Sequence, residues 1–526
     1  MARRLSRRSF LALTTASTGV ALSYKWLKPT LAQSPSPNYP VNTIQTGEVT
    51  ATSALVWARG NRESNILVDF SDSPNFQGLV NSVMSSEKVS AETDYTGTLE
   101  LSGLQPDTTY YYQLRFVNGL ANLQSERVRQ GLAGSFRTAP AMDQERTVRF
   151  VWAADLAGQG WGRNPNLTIT AFDGEVIRGG YVIFDVMRKF RPDFAVFCGD
   201  MIYADNPMPP TKPIPESVGG GTWVNAPAKD FVAISLEEFR ANWKYNLQDE
   251  KFQRFLAETP IYVEWDDHEV TNNWYPGEIL TAEPYNGVEV DILAQRSKQA
   301  FFEYNPIRGE EIFRKFRQGK HVELFLLDER SFRGPNTQNS EPTLEMLGQD
   351  QLEWLKQGLQ NSSATWKIVA THDPLSIVTG GEGDRDAWAQ ADSQVLGRET
   401  QLSELLSFIK AEGIKNVVYI TADVHFPAAI SYDPSRAVFQ DFDPFWEFVI
   451  GPINAGAFGP GGDLPLDPSF GPEYEFNNFP LEPNLPPPNN QFFGSMEVDG
   501  QTAQLTARIH DITGEVVYRK VLIPEA

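Results

Sequence analysis

Five apolar runs in the larger, C-terminal part of the chain each finish in residues that can hold a cation or move a proton. Val148–Ala153 is followed by Ala154-Asp155, and Phe194–Phe197 by Cys198-Gly199-Asp200-Met201-Ile202-Tyr203. Ile261–Glu264 is followed by Trp265-Asp266-Asp267-His268-Glu269, Lys367–Ala370 by Thr371-His372-Asp373, and Val417–Ile420 by Thr421-Ala422-Asp423-Val424-His425. A single acidic residue after a strand commonly caps a helix or makes a turn. Five such endings, carrying three of the 5 histidines, exceed what caps explain. Carboxylate, phenol and imidazole are metal-binding groups. In open α/β sheets, ligands gather at the carboxyl ends of strands. The chemistry expected of this set is therefore that of a metal centre.

Such a centre needs a frame. From about Arg146 onward, β-branched apolar runs alternate with amphipathic stretches of helical period. Further strands are expected at Val322–Leu327, Leu505–Ile512 and Glu515–Val521. Helices are expected near 181–190, 236–257, 290–303, 348–360 and 399–411. That alternation predicts a layered α/β domain with buried strands over 141–526. Ahead of it, residues 41–140 read as all-β. Ser53-Ala54-Leu55-Val56-Trp57-Ala58 alternates between turn signals, and Leu104–Leu114 is a turn feeding an aromatic strand. The segment closes in Gly134-Ser135-Phe136-Arg137-Thr138 and resembles a fibronectin- or immunoglobulin-like β-sandwich. Gln33–Pro40 reads as a linker, and Pro207–Pro215 and Phe479–Pro488 as loops. The stretch after Pro452, rich in proline and glycine, is expected to fold over the site.

Composition narrows the classes. In 526 residues, 12 Trp, 17 Tyr and 33 Phe demand a core, which excludes disorder as the dominant state. A net charge of −22 argues against general nucleic-acid or anionic-membrane binding. One cysteine, Cys198, excludes an intramolecular disulfide, and its place inside an apolar run predicts a small buried core residue. The N-terminus opens Arg3-Arg4-Leu5-Ser6-Arg7-Arg8-Ser9-Phe10-Leu11 and runs through a weakly apolar stretch to Thr30-Leu31-Ala32. Residues 1–32 resemble a twin-arginine export signal. The expected partner is the twin-arginine translocase, the expected location periplasmic or secreted, and no stable membrane span is expected once the signal is removed.

The order of the chemical words resembles that of the two-metal phosphoesterases. Gly199-Asp200-Met201-Ile202-Tyr203 matches the Gly-Asp-x-x-Tyr motif of purple acid phosphatases, and Val369-Ala370-Thr371-His372 their Val-x-x-His. The fuller resemblance, over nearly the whole chain, is to the alkaline phosphatase D (PhoD-like) family. It rests on Trp265-Asp266-Asp267-His268-Glu269, Asp328-Glu329-Arg330-Ser331-Phe332-Arg333, Asp423-Val424-His425 and Trp446-Glu447-Phe448-Val449-Ile450-Gly451-Pro452.

The resemblance implies a metallophosphoesterase-type αββα sandwich behind the N-terminal β-sandwich. It also implies hydrolysis of small phosphate esters by attack of a metal-bound hydroxide on phosphorus. By motif position, Asp200 bridges two cations. Asp155, Tyr203 and His425 complete a site suited to Fe3+, and Asp267, His372 and Asp423 complete an oxygen-rich site suited to Ca2+ or another hard divalent ion. Asp266 and Glu269 leave room for a second Ca2+. His268 is expected to protonate the leaving group or to orient Asp267. Arg330, with Arg333, is expected to grip a phosphate oxygen or to pair with the acidic shell. One position departs from the family, which carries a cysteine ligand where this chain has Asp155. Two other readings are a purple acid phosphatase-like monoesterase and a calcium-dependent surface-binding protein with a degenerate site.

Overall fold

The computed structural model describes residues 41–118, 131–458, 464–480 and 482–525. The expected signal and linker lie outside them. Among the described residues, no helix is long and apolar enough to cross a membrane.

Two sheets form the centre. The first has nine strands, in the order Val516–Leu522, Leu505–Asp511, Phe492–Val498, Val148–Ala153, Phe194–Cys198, Ile261–Glu264, Ile44–Gly47, Ser53–Arg59 and Thr96–Ser102. The second has seven: Arg314–Gln318, Val322–Leu326, Trp366–Ala370, Val417–Thr421, Phe445–Val449, Ala428–Tyr432 and Pro472–Asn477. Strands 148–153, 194–198 and 261–264 run parallel, as do 322–326, 366–370, 417–421 and 445–449.

Side-chain alternation fixes the layers. Phe194, Val196 and Cys198 face a core shared with Ile368, Ala370, Val418 and Ile420 of the second sheet. Ala195 and Phe197 face outward onto helices Val182–Lys189 and Glu250–Glu258. On the far side, Val369, Val417 and Tyr419 meet helices Gly348–Gln360 and Glu399–Ala411. Strands buried on both faces read as continuous apolar runs, which is why they stand out in the sequence. The result is a mixed α/β sandwich, helix, sheet, sheet, helix.

Three local features differ from expectation. The helix expected over 236–257 is two helices, Leu236–Leu247 and Glu250–Glu258. Asp249 has extended backbone and its carboxylate accepts from the amides of Lys251 and Phe252, so it starts a new helix. Inside the expected loop 207–215, Thr211–Pro213 pairs with Thr222–Val224. In the N-terminal sandwich, Asn81–Met84, Asn65–Ser71, Thr109–Val117 and Leu132–Arg137 form one sheet. The facing three strands are continuous with the large sheet, because Gly47 pairs in parallel with Ile261.

Candidate metal centre

The strand endings must turn sharply to bring short acidic side chains together. Asp155, Asp200, Asp423 and His425 all adopt left-handed backbone, with φ of 63°, 52°, 66° and 54°. That conformation costs a non-glycine residue of order 1–3 kcal/mol and persists only where its surroundings over-determine it. Buried glutamates supply part of the restraint. Glu269 accepts from the amides of Asp200 (3.0 Å), Met201 (2.8 Å), Ile202 (3.3 Å) and Asp266 (2.8 Å). Glu329 accepts from the Asp373 amide and the Trp388 indole, and Glu447 from the Leu375 amide and the Thr421 hydroxyl. At Gly199, φ is 79° and a β-carbon would collide with the His372 imidazole. Glycine there lets two strand ends close on one another.

The seven expected ligands come together at the strand ends, six of them buried and Asp423 half-buried. Tyr203 donates its hydroxyl to His425 Nε2 at 2.7 Å, and that nitrogen lies 3.6 Å from Asp155 Oδ1. Ligand atoms of Asp155, Asp200 and His372 lie within 4.8 Å of one another, as do those of Asp200, Asp267 and His268. His372 and Asp423 meet in a further group with Asp266 and Asp373. Asp200 is common to the first two of these groups, and His372 to the first and the third.

The cluster crowds carboxylates together out of solvent. Among the described residues, both carboxylate oxygens of Asp155, Oδ1 of Asp267 and Nε2 of His372 are buried without a hydrogen-bond partner. Burial raises Asp155 to about 8. Burial and then neighbouring carboxylates push Asp200 and Asp423 well above the usual carboxylate range. Unpaired buried carboxylates are costly and are relieved by bound cations. The imidazoles are oriented accordingly. His425 donates Nδ1–H to the Gly456 carbonyl, and burial depresses it to about 3, so Nε2 keeps its lone pair. His372 Nδ1 lies 2.6 Å from Asp266 Oδ2, which turns Nε2 towards the cluster.

Behind the ligands lies a dry ion-pair lattice. Arg330 is 0% exposed. Its Nε sits 2.5 Å from Asp266 Oδ1, and its terminal nitrogens reach Asp386 at 2.9 and 2.8 Å and Asp373 at 3.4 Å. Arg333 bonds the same Asp373 and Asp386. Of the two expectations for Arg330, the structure shows the pairing with the acidic shell and not the phosphate grip: its donors go to Asp266, Asp373 and Asp386. Of the two residues considered for a further cation, Glu269 is taken up by four amides, whereas Asp266 both pairs with Arg330 and stands in the group with His372, Asp373 and Asp423.

His268 stacks on the Tyr203 ring, with centroids 4.2 Å apart. Its Nδ1 lies 2.7 Å from Asp205 Oδ1. Burial opposes its charge, but Asp205 and Asp267 outweigh burial and raise it to about 10. Asn272 and Asn273 contribute backbone amides, to Asp205 and Asp267 respectively. Asp205 and Asp386 were not singled out from sequence. Asp205 lies two residues beyond Tyr203 in the same loop, a signal that was available; Asp386 sits in a loop without a motif. His321 and His510 lie elsewhere, bonded to Thr365 and Ser495.

Residues 150–509 match the family model described as PhoD-like phosphatase, and residues 28–140 that of the PhoD-like phosphatase N-terminal domain. Alkaline phosphatase D of Bacillus subtilis (strain 168) is 25% identical over 355 residues, 62% of this chain. The chain spans about half of that relative's length, 52%. A solved PhoD structure aligns with a TM-score of 0.66 at 20% identity, covering 93% of this chain and 90% of that one. Purple acid phosphatase PPD1 from yellow lupin (Lupinus luteus) seeds aligns with a TM-score of 0.56 at 13% identity, covering 92% and 74%. At these identities the two structures establish a shared fold.

Proposed function

The chain belongs to the PhoD-like phosphatase family, and from that premise we propose that it is a metal-dependent phosphoric ester hydrolase acting on small phosphate esters. The observation that carries the reading is the cluster of buried, unpartnered ligand atoms on Asp155, Asp267 and His372 around Asp200. Asp155, Tyr203 and His425 would hold one cation, and Asp267, His372 and Asp423 the other, with Asp200 shared. The first set joins carboxylate and phenol oxygens to one imidazole, a hard set that fits Fe3+. Asp155 in place of a thiolate strengthens that hardness. The second set, two carboxylates and an imidazole, fits Ca2+. Bound cations there supply Lewis-acid polarisation of the phosphoryl group and neutralise its charge.

The chain's own residues do the rest. Asp205 holds His268 through Nδ1, so Nε2 is the atom left to carry a proton towards a departing alkoxide. Asp266 fixes the His372 ring, and Arg330 keeps Asp266 ionised, since Arg330 is the foremost influence drawing it below its usual range against burial. The twin-arginine motif at Arg3 and Arg4 supports export to the periplasm or beyond, a route that carries folded, metal-loaded chains.

The test is hydrolysis of chromogenic phosphate mono- and diesters by the folded protein before and after chelation. Activity is expected to vanish with chelator and to return with Ca2+. Absence of activity at every pH, in protein shown to be folded and metal-loaded, contradicts the proposal.

A further inference from the structure

Three large aromatic rings stand exposed among the described residues: Phe172, Phe332 and Phe458. Phe172 and Phe332 lean on other phenylalanines, Phe190 and Phe313. Phe458 lies against the site. Its ring is stacked on the His425 imidazole, with centroids 4.0 Å apart and planes 3° from parallel. His425 itself is 1% exposed, whereas Phe458 is 36% exposed. One face of the phenyl ring therefore covers the His425 imidazole, and among the described residues no other ring stacks on the phenyl.

The residues leading to Phe458 are fastened. The Gly456 amide donates to Gln159 Oε1 at 3.0 Å, and the Gly456 carbonyl accepts from His425 Nδ1. Ala457 donates to the Leu485 carbonyl at 3.2 Å and accepts from the Asn484 amide at 2.7 Å. These bonds hold the part-exposed ring in place beside the buried His425.

We propose that Phe458 is a stacking shelf for the organic group of the substrate, so that phosphate esters of aromatic alcohols are bound in preference to aliphatic ones. The inference rests on the phosphatase reading and deepens it to a substrate class. The chemistry is simple. With phosphate held by the charged centre, an organic group leaving it on the His425 side would meet the open face of Phe458. A flat π-system there meets a parallel ring already fixed by its neighbours, so little ordering remains on binding. One aromatic stack corresponds to roughly tenfold in affinity. Phe458 touches substrate only outside the reacting atoms, so its part is specificity.

The experiment uses the full chain, metal-loaded, titrated calorimetrically with phenylphosphonate and with methylphosphonate, neither of which is hydrolysed. The wild-type protein is expected to prefer phenylphosphonate by roughly tenfold. Phe458→Leu, which keeps an apolar cover on His425, is expected to remove the preference while methylphosphonate affinity changes little. Phe458→Tyr, which keeps the ring, is expected to retain it. Equal affinities in the wild type, or a preference that survives Phe458→Leu, overturns the shelf alone. If neither phosphonate binds, the phosphatase reading itself fails and the shelf falls with it.

Discussion

Asp200→Asn is expected to lower turnover of phosphate esters by at least about 10³-fold. Losing one cation's share of transition-state stabilisation amounts to several kcal/mol, and each 1.36 kcal/mol is tenfold. The variant keeps the size and backbone hydrogen bonds of Asp200, whose amide donates to Glu269 and whose Oδ1 accepts from the His268 amide. It replaces a carboxyl that burial, and then Asp267, Asp266, Glu269 and Asp155, hold well above the usual carboxylate range. The cation-free protein is therefore expected to be as stable as the wild type or more so, because a neutral amide removes the cost of burying an ionisable carboxyl among other carboxylates. What disappears is the added thermal stability that metal confers on the wild type. Parallel melting curves with and without Ca2+, beside the kinetics, check both halves. Activity within tenfold of wild type would show that Asp200 does not bridge. Loss of activity with a collapsed cation-free fold would show that its role is structural.

Arg330→Met is the second large effect, and it falls on stability. Removing one partner of a buried ion pair costs about 3–5 kcal/mol, because the other charge is stranded. Here one guanidinium serves Asp266, Asp373 and Asp386, all buried and without solvent to replace it. The loss is expected at the upper end of that range in chemical denaturation. Asp266 then loses the partner that keeps it ionised beside His372, so metal affinity is expected to drop about 10–100-fold, the usual price of losing an outer contact to a ligand. Adding Asp386→Asn removes one of the stranded charges and is expected to restore part of the stability. A phosphate-gripping arginine would behave differently: KM would rise while stability stayed level. That outcome would return Arg330 to the substrate.

The site was legible because its chemistry sits where local rules apply. Strand endings such as Gly199-Asp200 and Asp423-Val424-His425 follow runs whose burial on both faces leaves an unbroken apolar signature. Asp155 stands out for the same reason, at the end of Val148–Ala153. The helix boundaries at 290 and 399 were close because periodicity alone places them. The parts that escaped depend on contacts between distant segments. Arg330 meets Asp266 across 64 positions and Asp386 across 56, so nothing local distinguishes a buried pairing from a phosphate contact. Asp205 meets His268 across 63. Glu329 and Glu447 lie in words that look chemical, yet their carboxylates are used as acceptors for loop amides, hydroxyls and an indole. That choice is made by backbone geometry, which left-handed residues at Asp155, Asp200 and Asp423 impose and which residue type alone does not announce. The continuity of the N-terminal strands with the main sheet is likewise a pairing, Gly47 with Ile261, that spacing does not encode.

The most direct measurement is anomalous diffraction from crystals of the metal-loaded protein, with data collected at the iron edge and at long wavelength for calcium. Two peaks are expected inside the sandwich edge. One should be bounded by Asp155, Tyr203 and His425, the other by Asp267, His372 and Asp423, with Asp200 touching both. A cluster empty of anomalous density, in crystals whose elemental analysis shows metal bound elsewhere, would contradict the two-cation centre and the activity built on it.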